Sequence, residues 1–255
     1  MNLNKLLHIA TYAGRILLEN GAEIYRVEET IVRICNAYGI ENTDSFVTPT
    51  GIVVSLSDNN ETISIVKRIK KREVNLNKID KVNDLARKIV TENISLDDFY
   101  DKLEKIYNEP EYNDKTLMLF AGLSAACYSF ILGGHIYDFI SAFIIGILIK
   151  MISLIFKRLS INEFFINFIG GSITALLALI FYSINHNVNI DKTIIGAIML
   201  LVPGLAITNA VRDIIAGDFL AGLTKAAEAF IVAIAIASGS GIILSFWINT
   251  FGGAF

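Results

Sequence analysis

The sequence predicts a membrane α-helical fold of about five transmembrane helices, preceded by a small cytoplasmic α+β domain. Three observations predict it. Charge is unevenly placed, because residues 1–115 hold 16 of the 22 Lys+Arg and 19 of the 25 Asp+Glu, leaving 6 and 6 for residues 116–255. The charge-poor part contains long apolar stretches, each near the roughly 20 residues a helix needs to cross about 30 Å of hydrocarbon. Between residues 45 and 69 the hydrophobic period shortens from helical to strand-like. A chain that is 53% hydrophobic and 18% charged, with mean hydropathy +0.54, is no disordered protein and is too apolar for an ordinary soluble enzyme. The net charge of -3 with mixed signs leaves no basic field, so nucleic acid is not an expected partner.

The expected division is 1–115 cytoplasmic and 116–255 transmembrane. In the first part, Leu3, Leu6, Leu7, Ala10, Ala13, Leu17 and Leu18 follow a helical stripe. Asn20-Gly21 stops it, and Ile24, Val27, Ile31, Ile34 and Cys35 resume it up to Gly39, so two helices with a tight bend are expected. Lys5, His8, Arg15 and Glu19 interrupt the first apolar stretch, which argues against a cleaved signal and for a cytoplasmic domain. Phe46-Val47, the turn candidate Thr48-Pro49-Thr50-Gly51, Ile52 to Leu56, and Thr62 to Ile69 read as strands. Residues 78–93 and 95–107 read as two amphipathic helices, the second capped by Ser95 with Asp98 three residues on.

In the second part the candidate spans are about 117–134, 138–156, 164–184, 193–211 and 226–249. With the N-terminal domain inside, the inner loops carry Lys157, Arg158, Arg212 and Lys225, and the outer loops only Lys192. Ala229, Ala233, Ala237 and Gly241 recur every four residues, a small-residue stripe that lets another helix approach. Cys35 and Cys127 fall in different parts and read as free, packed thiols.

The segment from Leu200 to Asp218 carries the polar chemistry. Pro203-Gly204 interrupts an apolar run, as either a packing kink or a break that exposes backbone to a polar substrate. Asn209, Arg212 and Asp213 follow on roughly one helical face. Arg212 is either an interfacial anchor or a fork for a substrate carboxylate. Asp218 and Lys225 lie further along, and Glu228 could pair with Lys225 or act in proton coupling. Walker, His-Glu-x-x-His and G-x-S-x-G motifs are missing, and His8, His135 and His186 are scattered. No catalytic residue, metal or cofactor is expected.

Residues 14–39, Gly-Arg-Ile-Leu-Leu-Glu-Asn-Gly-Ala-Glu-Ile-Tyr-Arg-Val-Glu-Glu-Thr through Gly39, resemble the opening motif of the threonine/serine exporter family. Phe46 to Ile52 and the set Pro203-Gly204, Asn209, Arg212-Asp213, Gly217-Asp218, Gly222 and Glu228 are similar to it too. The resemblance spans nearly the whole chain. It implies the N-terminal half of a gradient-driven exporter, in the inner membrane, working with a separate second membrane subunit. Related two-subunit systems imply dicarboxylates such as succinate beside threonine and serine as substrate classes. On this reading Pro203, Gly204, Asn209 and Arg212 bind a small carboxylate, and Asp213, Asp218 or Glu228 couple protons. Gly21, Glu23, Arg26 and Glu28 organise the cytoplasmic domain or its contact with the membrane part. A homo-oligomer is also open to such a chain. A different class, a membrane sensor or scaffold with a cytoplasmic interaction domain, fits the same two-part layout.

Overall fold

The computed structural model describes residues 2–59, 61–110 and 112–252. By their contacts the residues form two units: Met1–Pro110 with Gly204–Ala227, and Glu111–Pro203 with Glu228–Phe255. Gly204–Ala227 packs with the N-terminal residues in the first of these units.

The first unit opens with α1 (Leu3–Glu19) and α2 (Ile24–Ala37). Asn2 caps α1 by accepting the Lys5 N–H. The bend sits at the expected place. Gly21 takes φ +91°, a left-handed conformation that glycine adopts without strain. The elbow is held from outside, where Glu73 N–H donates to the Glu19 carbonyl at 2.8 Å and Asn75 N–H to the Asn20 carbonyl at 3.1 Å. Next comes an antiparallel sheet of β1 (Asn42–Thr48), β2 (Gly51–Asp58) and β3 (Glu61–Arg68), ordered as in the chain. Thr48 pairs with Gly51, so Pro49-Thr50 is a two-residue hairpin loop. Alternation sends Ile52, Val54 and Leu56 into the core, while Val53 stays exposed. The helices α3 (Leu76–Glu92) and α4 (Leu96–Tyr107) close the core with Val82, Ala86, Phe99 and Leu103. Ser95 caps α4 as expected, accepting the Asp98 N–H at 3.1 Å. Ala221, from the returning segment, belongs to this same core.

The second unit comprises α5 (Asp114–Ile131), α6 (Ile136–Arg158), α7 (Glu163–Ile184), α8 (Ile190–Ile198) and the later part of α10 (Phe219–Phe251). Among the described residues, α6, α7 and α10 are long and apolar enough to cross a membrane. The polar first turn of α5, Asp114-Lys115-Thr116, lowers its hydropathy, and α8 has only nine residues. The stretch expected as a fourth span, 193–211, is divided between α8 and α9 (Gly204–Ala216), because Pro203 cannot donate a backbone N–H to a continuing helix. The stretch expected as a fifth span, 226–249, lies inside α10, which starts at Phe219 and runs through Lys225 and Glu228.

Packing in this unit uses small residues. A Cβ on Gly239 would overlap the Phe168 carbonyl, and one on Gly171 would meet the Ile236 carbonyl. The α7–α10 contact thus uses a different face of α10 from the stripe read in the sequence. Of that stripe Ala229 is buried, but Ala233, Ala237 and Gly241 are exposed. An apolar helix with similar residues on all sides carries little phase information. Cys35 is buried, which pushes its thiol up to about 11, whereas Cys127 is exposed rather than packed.

Two tie points organise the ends of the second unit. Arg158 donates to Asp114, joining the end of α6 to the start of α5. Lys192 donates to the Gly133 carbonyl, joining the α5–α6 turn to the start of α8. Asp138 is fully buried, accepting the His135 N–H at 2.7 Å, the Asn189 N–H at 2.5 Å and the Thr193 hydroxyl at 3.5 Å. One carboxylate therefore serves the N-termini of both α6 and α8. Asp138→Ala strands these donors in the interior. It is expected to lower stability by about 2–5 kcal/mol, read as earlier thermal unfolding in detergent.

Candidate functional site

The site is built where the α9–α10 hairpin meets the α1–α2 elbow, within the first unit. Pro203 ends the preceding turn and Gly204 starts α9. Gly217 at φ +100° stops it, and Asp218 N–H returns to the Asp213 carbonyl at 2.8 Å. The chain then starts α10, with Gly222 N–H donating to the Asp218 carbonyl at 2.9 Å. A Cβ on Gly222 would fall 2.8 Å from the Ala210 carbonyl, so the missing side chain is what lets α10 lie against α9.

The face of α9 that the spacing of Asn209, Arg212 and Asp213 defines is the face turned onto the elbow. Asn209 Nδ2 donates to the Gly21 carbonyl at 2.9 Å. Arg212 Nη1 donates to Glu23 Oε1 at 2.6 Å. Asp213 Oδ1 accepts the Ile24 N–H at 3.0 Å. Lys225 Nζ lies 2.8 Å from Asp213 Oδ2 and 3.5 Å from the Ala22 carbonyl. Four consecutive residues, Gly21 to Ile24, are thus held by four side chains some 190 positions later.

Asp213 has a specific task. Glu23 occupies the cap position of α2 but makes no side-chain cap bond. The carboxylate of Asp213 fills that role from another helix, at the positive end of the α2 dipole. Asp213 is fully buried and the Lys225 side chain is 10% exposed. A buried charge needs both a partner and hydrogen bonds, and here each ion has them.

Two further carboxyl groups face this cluster. Glu28 accepts the Val47 N–H at 2.7 Å. Burial pushes the Glu28 carboxyl above the usual range, the Val47 bond opposes this, and the charges of Asp218 and Asp213 add to the rise. The Asp218 carboxyl is also raised, first by burial and then by Asp213, with Lys225 opposing. Both are accordingly easier to protonate than ordinary carboxylates.

Arg212 differs from its neighbours in being accessible. Its side chain is 61% exposed, while the Glu23 it touches is 12% exposed. The other oxygen of Glu23 lies 3.4 Å from Arg26. Around Arg212 the outer surface is apolar, with Val211, Ile215, Phe219, Leu220 and Leu223 all exposed. The hairpin therefore turns polar groups inward and apolar groups outward, the reverse of a water-facing helix pair.

The structure brings together Gly21, Glu23, Asn209, Arg212 and Asp213, with Arg26, Glu28 and Asp218 at the margin. Pro203 and Gly204 set the start of α9 but lie outside the hydrogen-bonded cluster. Glu228 lies in the second unit. Spacing offers Glu228 as a partner for Lys225, and the Lys225 bond to Asp213 is the feature spacing missed. The Asp213–Lys225 separation of 12 residues crosses a turn, so no helical rule reports it.

Spanning-length apolar helices and an apolar outer surface over a buried charge cluster mark a membrane protein. Residues 8–247 match the family model described as "Putative threonine/serine exporter". The chain belongs to the threonine/serine exporter family, whose members are transporters and not enzymes. It is 26% identical over 239 residues to a probable succinate transporter subunit, YjjP, of Klebsiella aerogenes, covering 91% of this chain and 90% of the relative. A protein with the same description from Escherichia coli K12 is 24% identical, with 92% and 91% covered. A threonine/serine exporter of Corynebacterium glutamicum is 22% identical over 93% of this chain but only 50% of its own length. The chain thus matches the YjjP subunits almost end to end and spans about half of the longer exporter. No solved structure matches it.

Proposed function

We propose that the chain is one subunit of a gradient-driven exporter of small carboxylate metabolites, working with a second membrane subunit on a separate chain. The observation that carries the reading is Arg212, which holds a carboxylate, Glu23, while more than half exposed. In the resting arrangement Glu23 stands where a substrate carboxylate would bind. Substrate then displaces Glu23 from Arg212, with Asn209 and the backbone at Pro203-Gly204 supplying polar contacts. Protons are taken up by Asp213, Asp218 or Glu228, of which Asp218 is favoured by its raised carboxyl. Gly21, Glu23, Arg26 and Glu28 form the elbow that passes the change to the N-terminal unit.

For topology, the Arg158–Asp114 bond supports placing the start of α5 and the end of α6 on one membrane face. On this reading that face is cytoplasmic, with Lys157, Arg158, Arg212 and Lys225 on the inner side. The apolar outer surface of α9 and early α10 rests in lipid at that boundary or against the second subunit.

The test is flux in proteoliposomes holding this chain and a candidate second subunit, a small multi-span membrane protein encoded beside it, loaded with labelled threonine, serine or succinate. The reading expects efflux of at least one of them when both chains and a proton gradient are present, and background efflux when either is omitted. Ligand-dependent partner binding without flux would identify a sensor instead.

A further inference from the structure

A second polar site lies between α2 and α3. Arg26, Glu29, Thr30 and Arg33 follow each other at helical spacings of three, one and three, so they share one face. Asn83, Ala86 and Arg87 do the same on α3. Together these seven residues line a cavity of about 110 Å³ between the two helices. Ala86 is buried, and its small side chain leaves the space open. The Thr30 hydroxyl donates to Asn83 Oδ1 at 3.3 Å, which leaves the Asn83 amide N–H₂ as a donor.

The lining carries three guanidinium groups and one carboxylate, so it is net positive. Two of the three, Arg26 and Arg87, are only loosely neutralised. Arg87 is 3.8 Å from Asp84, whose nearer partner is Lys88 at 2.7 Å. Arg26 reaches Glu23 at 3.4 Å, and the other oxygen of Glu23 is taken by Arg212. Arg33 pairs with Glu29 within one exposed turn of α2. Exposed pairs of this kind hold weakly, whereas planar guanidinium forks bind carboxylate and phosphate oxygens in pairs. Neutral amide and hydroxyl groups at the floor and positive forks at the rim suit a small ion with two negative charges.

We propose that this pocket binds a small dianion, a dicarboxylate or a phosphate. The location gives binding a consequence. A dianion there competes with Glu23 for Arg26, and Glu23 is the carboxylate on which Arg212 rests. The pocket is thus one carboxylate removed from the elbow cluster, and occupancy in it would loosen or tighten that contact.

The site is independent of the transport reading, and the experiment keeps them apart. Purified full-length chain in detergent is titrated calorimetrically with succinate and, separately, with inorganic phosphate at constant ionic strength. Saturable binding near one ion per chain is expected for at least one of them. Arg33→Gln with Arg87→Gln should weaken it by at least about tenfold. Asn83→Asp, which keeps size and the Thr30 bond but adds a negative charge, should do the same in a differently perturbed protein. Lys157→Gln, an exposed substitution at the end of α6 and outside the pocket lining, should leave it within about twofold. Preference for succinate marks a dicarboxylate site and preference for phosphate a phosphate site, and either upholds the proposal. Saturation by neither, or binding that survives both sets of substitutions, overturns it.

Discussion

Lys225→Met should destabilise the first unit by about 3–5 kcal/mol, because it strands the Asp213 carboxylate in the interior. Asp213 is fully buried, and its neighbouring cation is the Lys225 ammonium at 2.8 Å. Methionine keeps the length of the side chain, so the loss is electrostatic rather than a cavity. The double substitution Asp213→Asn with Lys225→Met should recover much of that stability. Asparagine still offers an oxygen to the Ile24 N–H, and no unpaired ion is left. The two single changes are therefore expected to be strongly non-additive, as groups in one network are. Denaturant or thermal unfolding of the three purified variants in detergent measures this. A double variant as unstable as the sum of the singles would show that the pair acts through packing alone.

Arg212→Ala should act the opposite way, with a large effect on transport and a small one on folding. The Arg212–Glu23 contact has one highly exposed partner, and such pairs contribute at most about 1 kcal/mol to stability. A charge-assisted bond from Arg212 to a substrate carboxylate carries more, about 1.5–3 kcal/mol. Export per molecule of membrane-inserted protein should fall by about 10- to 100-fold. Arg212→Lys should recover only part, since an ammonium cannot present the fork. Unchanged export in Arg212→Ala at normal membrane levels would remove Arg212 from the site.

Much of the local structure could be read from residue patterns, because its causes are local. The bend at Asn20-Gly21, the hairpin at Pro49-Thr50, the Ser95 cap and the break at Pro203 each depend on a few adjacent residues. The common face of Asn209, Arg212 and Asp213 was legible for the same reason. Its destination was not. The partners of that face are the Gly21 and Ala22 carbonyls, the Glu23 carboxylate and the Ile24 N–H, and a backbone group has no sequence signature. These bonds join the two motifs that carry the family resemblance. The phase of α10 failed for another reason. In a helix apolar on all sides, periodicity cannot distinguish Gly239 and Ile236 from Ala233 and Ala237. The span 226–249 marks only part of α10, which extends back to Phe219. Charge limits membrane depth, whereas helix formation tolerates Lys225 readily.

The central claim is that Glu23 occupies Arg212 in place of a substrate carboxylate. It is tested most directly by the concentration dependence of export in Glu23→Gln. Glutamine keeps the shape and removes the competing charge, so Arg212 is released without being lost. The account predicts a lower KM for the exported carboxylate than in the wild-type chain, measured in proteoliposomes at matched protein levels. An unchanged or higher KM in a folded Glu23→Gln chain would contradict it.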